Sequence, residues 1–367
     1  MTGKLRLAVI FGGRSAEHEV SLQSAKHIIE AIDRSHYHIV PIFIDKKGKW
    51  HILRGLCFDE GVSGDIPGQV VGELAIMPGE RTHQLINTSN QKKIEKIDVA
   101  FPVLHGPYGE DGTVQGLLKL THIPFVGAGV TGSAIGMDKD VMKRVLRDAG
   151  IPVADFLVYH EGDAGHIAFD RVTEILGPVL FVKPANLGSS VGISKVAARE
   201  DFSDALATAF KYDHKIIIEE CIEGREIECA VLGNEKPVAS VPGELSPRQD
   251  FYSYEAKYID EDGADFKIPA DLAEKTTRNI QELAVRSFDV LCCEGMARVD
   301  FFLDKQGKVF VNELNTIPGF TAISMYPKLW EASGMSYSRL IDRLIDLALE
   351  RHEKEQTLKT SWSDKSL

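Results

Sequence analysis

The run Leu7 to Phe11 is short and apolar and stops at Gly12-Gly13-Arg14-Ser15. It leads into a stretch with Leu22, Ala25, Ile28, Ile29 and Ile32 at helical spacing, then into a second apolar run, Ile39 to Ile44. No other feature constrains the fold as much. Strands apolar at every position are buried on both faces, and a helix between two of them is the crossover of a parallel, doubly wound sheet. Asp98 to Leu104 supplies a further buried strand, ending at His105-Gly106-Pro107-Tyr108-Gly109-Glu110-Asp111-Gly112. Both glycine-rich segments therefore lie beyond the carboxyl ends of strands, where such sheets hold ligands. A nicotinamide dehydrogenase would need Gly-x-Gly-x-x-Gly after Phe11, and that spacing is absent. Residues 54 to 96, rich in glycine, polar groups and charge, read as a variable surface excursion.

With 367 residues the chain exceeds one ordinary core, which predicts two or three domains. A formal charge of -12 argues against non-specific nucleic-acid binding, while leaving room for a local basic funnel towards an anionic nucleotide. The apolar run Leu5 to Phe11 is too short to span a bilayer and is followed by no small-residue cleavage site. Cys57, Cys221, Cys229, Cys292 and Cys293 are odd in number and lack zinc spacing, so reduced thiols in a cytoplasmic protein are expected.

A second unit begins near Met137-Asp138-Lys139, with Asp138 as the cap of a helix reaching Ala149 and Gly150 and Pro152 closing it. A strand at Val179 to Lys183 precedes a loop, Pro184 to Gly192, and further strands are expected near Ser194 and at Ile216 to Glu220. Gly188 and Gly192, around Ser189 and Ser190, would expose backbone N-H groups to an anion, with Lys183 as a point charge. A plain turn fits these glycines too, and no Walker pattern is present. The third unit starts about Cys221. Within it, Pro242 to Pro269 is long, polar and aromatic with little regular period, as a lid would be. Leu340 to Leu349 reads as a closing amphipathic helix.

Arg298-Val-Asp300-Phe-Phe302-Leu, the turn Asp304 to Gly307, and Val309-Phe-Val-Asn-Glu313-Leu-Asn315 read as a hairpin. If Leu303 faces Lys308, then Asp300 lies opposite Val311 and Arg298 opposite Glu313, so that Arg298, Asp300, Glu313 and Asn315 share one surface. A one-residue slip would separate them. Two carboxylates and a carboxamide are hard oxygen ligands suited to Mg2+. A solvated polar face on an edge hairpin has the same pattern.

The order of these parts resembles the D-alanine:D-alanine ligases of the ATP-grasp superfamily over essentially the whole length. The matching pieces are Phe11-Gly-Gly-Arg-Ser-Ala-Glu17-His-Glu-Val-Ser-Leu, His105-Gly with Gly109-Glu-Asp-Gly-Thr, Met137-Asp-Lys139 and Lys183-Pro with Gly188-Ser-Ser-Val-Gly. Tyr254-Glu-Ala-Lys257-Tyr258, Arg298-Val-Asp300 and Asn312-Glu-Leu-Asn315-Thr-Ile-Pro-Gly complete them. The resemblance implies an α/β protein with an ATP-grasp fold preceded by a Rossmann-like parallel-sheet domain. Its divisions would be 1–126, a central ATP-grasp subdomain at 127–220, and a C-terminal one at 221–367 with the lid loop at 242–269. The implied reaction joins two D-alanines through a D-alanyl phosphate, with ATP and two Mg2+ ions, for which Mn2+ can substitute, in a cytoplasmic homodimer.

Residue by residue, the resemblance assigns Asp300, Glu313 and Asn315 to the metals, with Glu313 bridging them. Lys139 and Lys183 would contact ATP phosphates, and Lys257 would reach the γ-phosphate from the lid. Glu219, the backbone from Glu220 to Ile222, and Glu226 match adenine and ribose positions, with Phe302 packing on adenine. Glu220 departs from the lysine or glutamine often found there. Arg298 and the Gly319 backbone would stabilise the oxyanion. Glu17 would bind the ammonium of the first D-alanine in a triad with Ser189 and Tyr258, and Ser324 and Met325 would line the second site, near His105. Met325 replaces a commoner leucine. Each residue also has a plainer reading: exposed lysines, a first-turn acid at Glu17, a helix cap at Ser324, core packing for Met325 and Phe302, a structural His105, or an Arg298–Glu313 pair. The rival functions are another ATP-grasp ligase, including one that takes D-lactate second, and a nucleotide-binding scaffold without catalysis.

Overall fold

A computed structural model describes residues 3–56, 68–247, 264–321 and 323–359. The first sheet contains β1 (Leu5–Gly12), β2 (Tyr37–Ile44), β3 (Trp50–Arg54), β4 (Gln69–Ile76), β5 (Leu85–Asn87), β6 (Lys92–Lys93) and β7 (Val99–Val103). Its order is β6-β5-β4-β3-β2-β1-β7. β1 is parallel to both β2 and β7, as the apolar runs predict. The excursion at 54–96 adds β4, β5 and β6 in antiparallel pairing. Most of β4 is exposed or half-buried, so no alternation of apolar residues announces it.

A second, antiparallel sheet holds β8 (Phe156–His160), β9 (Leu180–Pro184), β10 (Ser194–Val196) and β11 (Lys215–Glu220) in the order β10-β9-β11-β8. The third comprises β12 (Gly224–Gly233), β13 (Val238–Ala239), β14 (Gly243–Pro247), β15 (Ala264–Lys267), β16 (Gly295–Asp304) and β17 (Val309–Asn315), ordered β15-β14-β12-β16-β17 with β13 paired to β12. β14 and β15 pair with each other and form the two ends of the expected lid. Its middle, including Lys257 and Tyr258, lies outside the described residues, as does Cys57.

The helices are α1 (His18–Ala31), α2 (Thr113–Leu120), α3 (Val130–Met137), α4 (Lys139–Asp148), α5 (Phe169–Leu176), α6 (Arg199–Phe210), α7 (Glu274–Val290), α8 (Met325–Ala332) and α9 (Tyr337–Gln356). Alternate residues of β1 divide between two cores. Leu7, Val9 and Phe11 pack with α1 and with Leu340, Ile341 and Leu344 of α9. Ala8 and Ile10 pack with Val114 and Leu118 of α2. Arg351 of α9 is buried and donates to the carbonyls of Phe125 and Gly127, 2.6 Å each.

In the third sheet Val299, Phe301, Leu303 and Val311 face a core shared with Ile280, Leu283 and Phe288 of α7 and with Met142 and Leu146 of α4. Strand alternation then turns Arg298, Asp300 and Phe302 to the opposite face, beside Glu226 and Glu228 of β12. The hairpin register differs from the sequence expectation. Leu303 lies opposite Val309 rather than Lys308, because the turn closes with Asp304 N donating to Lys308 O at 3.0 Å. Asp304 Oδ1 also accepts from Gln306 N at 2.9 Å and from Lys308 N at 2.8 Å. That slip alone would have carried Glu313 to the far side, but a bulge between Asp300 and Phe301 restores it. Asp300 faces Glu313, not Val311, and Arg298 faces Asn315, not Glu313.

Candidate active site

A cleft of about 610 Å³ gathers Glu17, His105, Ser189, Arg298, Glu313 and Ser324. Glu17 stands just before α1 and is only 7% exposed, and the Ser189 hydroxyl donates to its carboxylate. Two of the three residues expected in the triad are thus together. Glycines make room for that carboxylate: a Cβ on Gly106, which has φ +74°, would lie 2.6 Å from Glu17 Oε2, and one on Gly188 would lie 3.4 Å away. Ser189 and Ser190 themselves adopt φ of 52° and 60°. Such left-handed conformations cost energy in residues bearing a side chain and persist where the surroundings impose them.

Arg298 is held on the hairpin face by Asp300, with Nε to Oδ1 and Nη2 to Oδ2 both 2.7 Å, and by Glu228, 2.9 Å from Nε. Burial opposes the guanidinium charge, but Asp300 and Glu228 outweigh it and hold its pKa well above the ordinary value. Glu228 was missed in the sequence; its signal is the Glu226-Ile227-Glu228 alternation leading into the apolar run Cys229 to Leu232. Asn315 Nδ2 donates to Asp300 Oδ2 at 3.0 Å. Among the described residues no three His, Cys, Asp or Glu side chains are grouped to hold a metal. The hairpin offers two carboxylates and one carboxamide, an all-oxygen set that fits Mg2+.

α4 links the second and third sheets. The Asp138 side chain accepts from Asp140 N and Val141 N, 3.1 Å each, the cap the sequence predicts. One turn apart on this helix, Lys139 and Lys143 lie on the same buried face as Met142 and Leu146. Lys139 Nζ donates to Leu187 O at 2.6 Å in the loop after β9 and lies 3.6 Å from Glu313 Oε2. Lys143, unremarked in the sequence, sits 3.0 Å from Glu219 Oε1, while Lys183 Nζ is 2.6 Å from Oε2. Burial pushes the Glu219 pKa up, but the charges of Lys143 and Lys183 prevail and bring it down to about 2.

A separate cavity of about 330 Å³, sharing no lining residue with the cleft, is lined by Ile222 together with Val179, Cys221 and Asp304. The Glu220 side chain turns elsewhere, with Oε1 accepting from Asp155 N at 2.8 Å. Phe302 is half-buried opposite Glu226. In the cleft itself, Ser324 occupies the N-cap position of α8 without capping it. Its Oγ accepts from Thr321 N at 2.9 Å, and a Cβ on Gly319 would come within 2.8 Å of it. Met325 lines the cleft and is 3% exposed, in the core with Tyr326 and Leu329. His105 lines the cleft but is nearly fully buried, with Nδ1 donating to Ile317 O at 3.0 Å and Nε2 3.2 Å from Ser24 Oγ. Burial depresses its pKa and favours the neutral ring.

This arrangement of an acid beside a serine loop, three lysines and an Arg-Asp-Glu-Asn hairpin agrees with what the chain matches. Family models described as D-ala D-ala ligase N-terminus and D-ala D-ala ligase C-terminus fit residues 6–128 and 145–346. The chain belongs to the D-alanine–D-alanine ligase family. It is 52% identical to the D-alanine–D-alanine ligase of Shouchella clausii, over 99% of this chain and 100% of that one. It is 51% identical to D-alanine–D-alanine ligase A of Escherichia coli, over 98% and 99%. The solved D-alanine-D-alanine ligase of Coxiella burnetii superposes with a TM-score of 0.84 at 42% identity, covering 96% of each chain.

Proposed function

We propose that the residues of this cleft divide between them the steps of ATP-dependent ligation of D-alanine to D-alanine, the family's reaction in cell-wall synthesis. The observation that carries the assignment is the convergence of Glu17 from the first sheet, Ser189 from the loop after β9 and Arg298 from β16 on one cleft. A carboxylate must approach a triphosphate, and unit charges 4 Å apart repel by about 4 kcal/mol even at an effective dielectric of 20. Lys139 and Lys183 line the route and offset that repulsion, and Lys257 joins them from the lid. Glu17 binds the ammonium of the first D-alanine, fixed in direction by the Ser189 hydroxyl and, through it, by Tyr258. Arg298 keeps its charge at every working pH and, with the Gly319 N-H, stabilises the oxyanion formed when the second amine attacks. Ser324 accepts the carboxylate of the second D-alanine beside Met325. Glu219 and Glu226 take the adenine and ribose, with the backbone of Glu220 to Ile222 and the ring of Phe302 completing the pocket.

Asp300, Glu313 and Asn315 would hold two Mg2+ ions, which when bound would neutralise phosphate charge as phosphoryl transfer proceeds; Mn2+ offers the same chemistry. The divisions 1–126, 127–220 and 221–367 then supply the amino-acid site, one wall and the other wall of the nucleotide site. We take the enzyme to work in the cytoplasm as a homodimer, and light scattering of the purified protein tests its size. Among the described residues no helix is long and apolar enough to cross a membrane. The function is tested by phosphate release on mixing protein, ATP, Mg2+ and D-alanine, with the dipeptide identified by mass. Release without dipeptide, or with D-lactate preferred as second substrate, would overturn the assignment.

A further inference from the structure

The loop Ile317 to Phe320, which carries Gly319, is suspended from side chains of the first 110 residues. Glu110 Oε1 accepts from Ile317 N at 3.0 Å, and its Oε2 accepts from Gly106 N at 2.8 Å. His105 Nδ1 donates to Ile317 O, and Phe320 N donates to Ser24 Oγ at 3.3 Å. Because His105 uses Nδ1-H on a carbonyl, its neutral Nε2 is the acceptor for the Ser24 hydroxyl, so donors run in one direction from Phe320 N-H through Ser24 to His105. Ile317 is therefore gripped at its N-H and its C=O by two residues five apart in sequence, over 200 residues from it.

We propose that Glu110 is a positioning residue for the second half of the reaction: by holding the Ile317 N-H it sets where the Gly319 N-H points, and so how well the tetrahedral oxyanion is met. The inference rests on the proposed placement of Gly319 at the oxyanion. Glu110 is the fit candidate because a carboxylate bridges two backbone N-H groups with one oxygen each, which a single-acceptor side chain cannot do. The charged groups facing it are Glu17 and Arg298. Burial and the Glu17 charge raise its pKa to about 8, against the pull of the two N-H groups and Arg298, so its grip strengthens as pH rises through that range.

The two half-reactions can be read separately. Hydroxylamine traps the acyl phosphate as a hydroxamate, its nitrogen bonding to the acyl carbon as phosphate leaves; dipeptide formation needs the second site. In Glu110→Gln the amide NH2 cannot accept, so one N-H is released; misplacing an oxyanion donor should cut dipeptide kcat about 100-fold, with hydroxamate formation and KM for ATP within about threefold of the parent. Dipeptide kcat of the parent should rise as Glu110 loses its proton, and the variant should lack that rise. Unchanged dipeptide kcat, or a parallel fall of both products in a folded variant, would overturn the proposal. Should Glu110→Gln fail to fold, Ser24→Ala frees the Phe320 N-H and is judged by the same split. Absence of hydroxamate and dipeptide in the parent protein would instead count against the proposed reaction.

Discussion

Lys143→Met removes a cation that touches no expected substrate, yet it should be among the most damaging single changes in the central part of the chain. The side chains of Lys143 and Glu219 are 1% and 2% exposed, so solvent screening does not dilute their interaction. Against burial, Lys143 and Lys183 hold the Glu219 carboxylate ionised and bring its pKa from 4.5 down to about 2, while burial lowers the pKa of Lys143 itself and so offsets part of the attraction. Breaking a buried pair costs about 3 to 5 kcal/mol because the other charge is stranded, and since Lys183 remains, about 2 to 3 kcal/mol is expected. Urea unfolding at neutral pH, followed by circular dichroism, measures it. A depressed carboxylate contributes stability that is present above 4.5 and lost as pH falls towards 2, so the parent's loss should extend to lower pH than the variant's. Adding Glu219→Gln to Lys143→Met should destabilise further, because Lys183 then loses the carboxylate 2.6 Å from its Nζ. A single variant within about 0.5 kcal/mol of the parent, or a double variant no less stable than the single, would refute the reasoning.

Glu313→Gln should lower turnover about 100-fold or more while leaving the unfolding midpoint unchanged, because it removes the carboxylate proposed to hold a metal beside the transferring phosphoryl group; full ligation at saturating Mg2+ would exclude that role. Gly106→Ala forces a side chain into a left-handed conformation against Glu17, and should cost about 1 to 2 kcal/mol of stability. It should also raise KM for the first D-alanine about tenfold, and an unchanged KM would show that Glu17 does not bind that substrate.

The parallel strands around Gly12, the Asp138 cap and the face alternation of the hairpin could all be read from local pattern, because burial on one or both faces fixes which residues are apolar. The register could not. Whether the turn closes at Val309 or Lys308 depends on how Asp304 folds its own carboxylate over the turn, and the compensating bulge at Asp300 changes no residue type. Glu110, Lys143 and Glu228 were given no role because their partners come from other elements: Ile317, Glu219 and Arg298 reach them only once the sheets are assembled. β4 was illegible because its exposure leaves no apolar alternation.

The burial of Arg351 against the carbonyls of Phe125 and Gly127 has a consequence for synthesis. Its reach of 226 residues from Phe125 means that the first sheet leaves the ribosome long before the helix that covers one of its faces. At about 5 to 20 residues per second the wait is about 10 to 45 s, during which Leu7, Val9 and Phe11 lack α9. For that interval the nascent chain is a client for chaperones, and a fragment ending near residue 126 would carry the same uncovered face permanently.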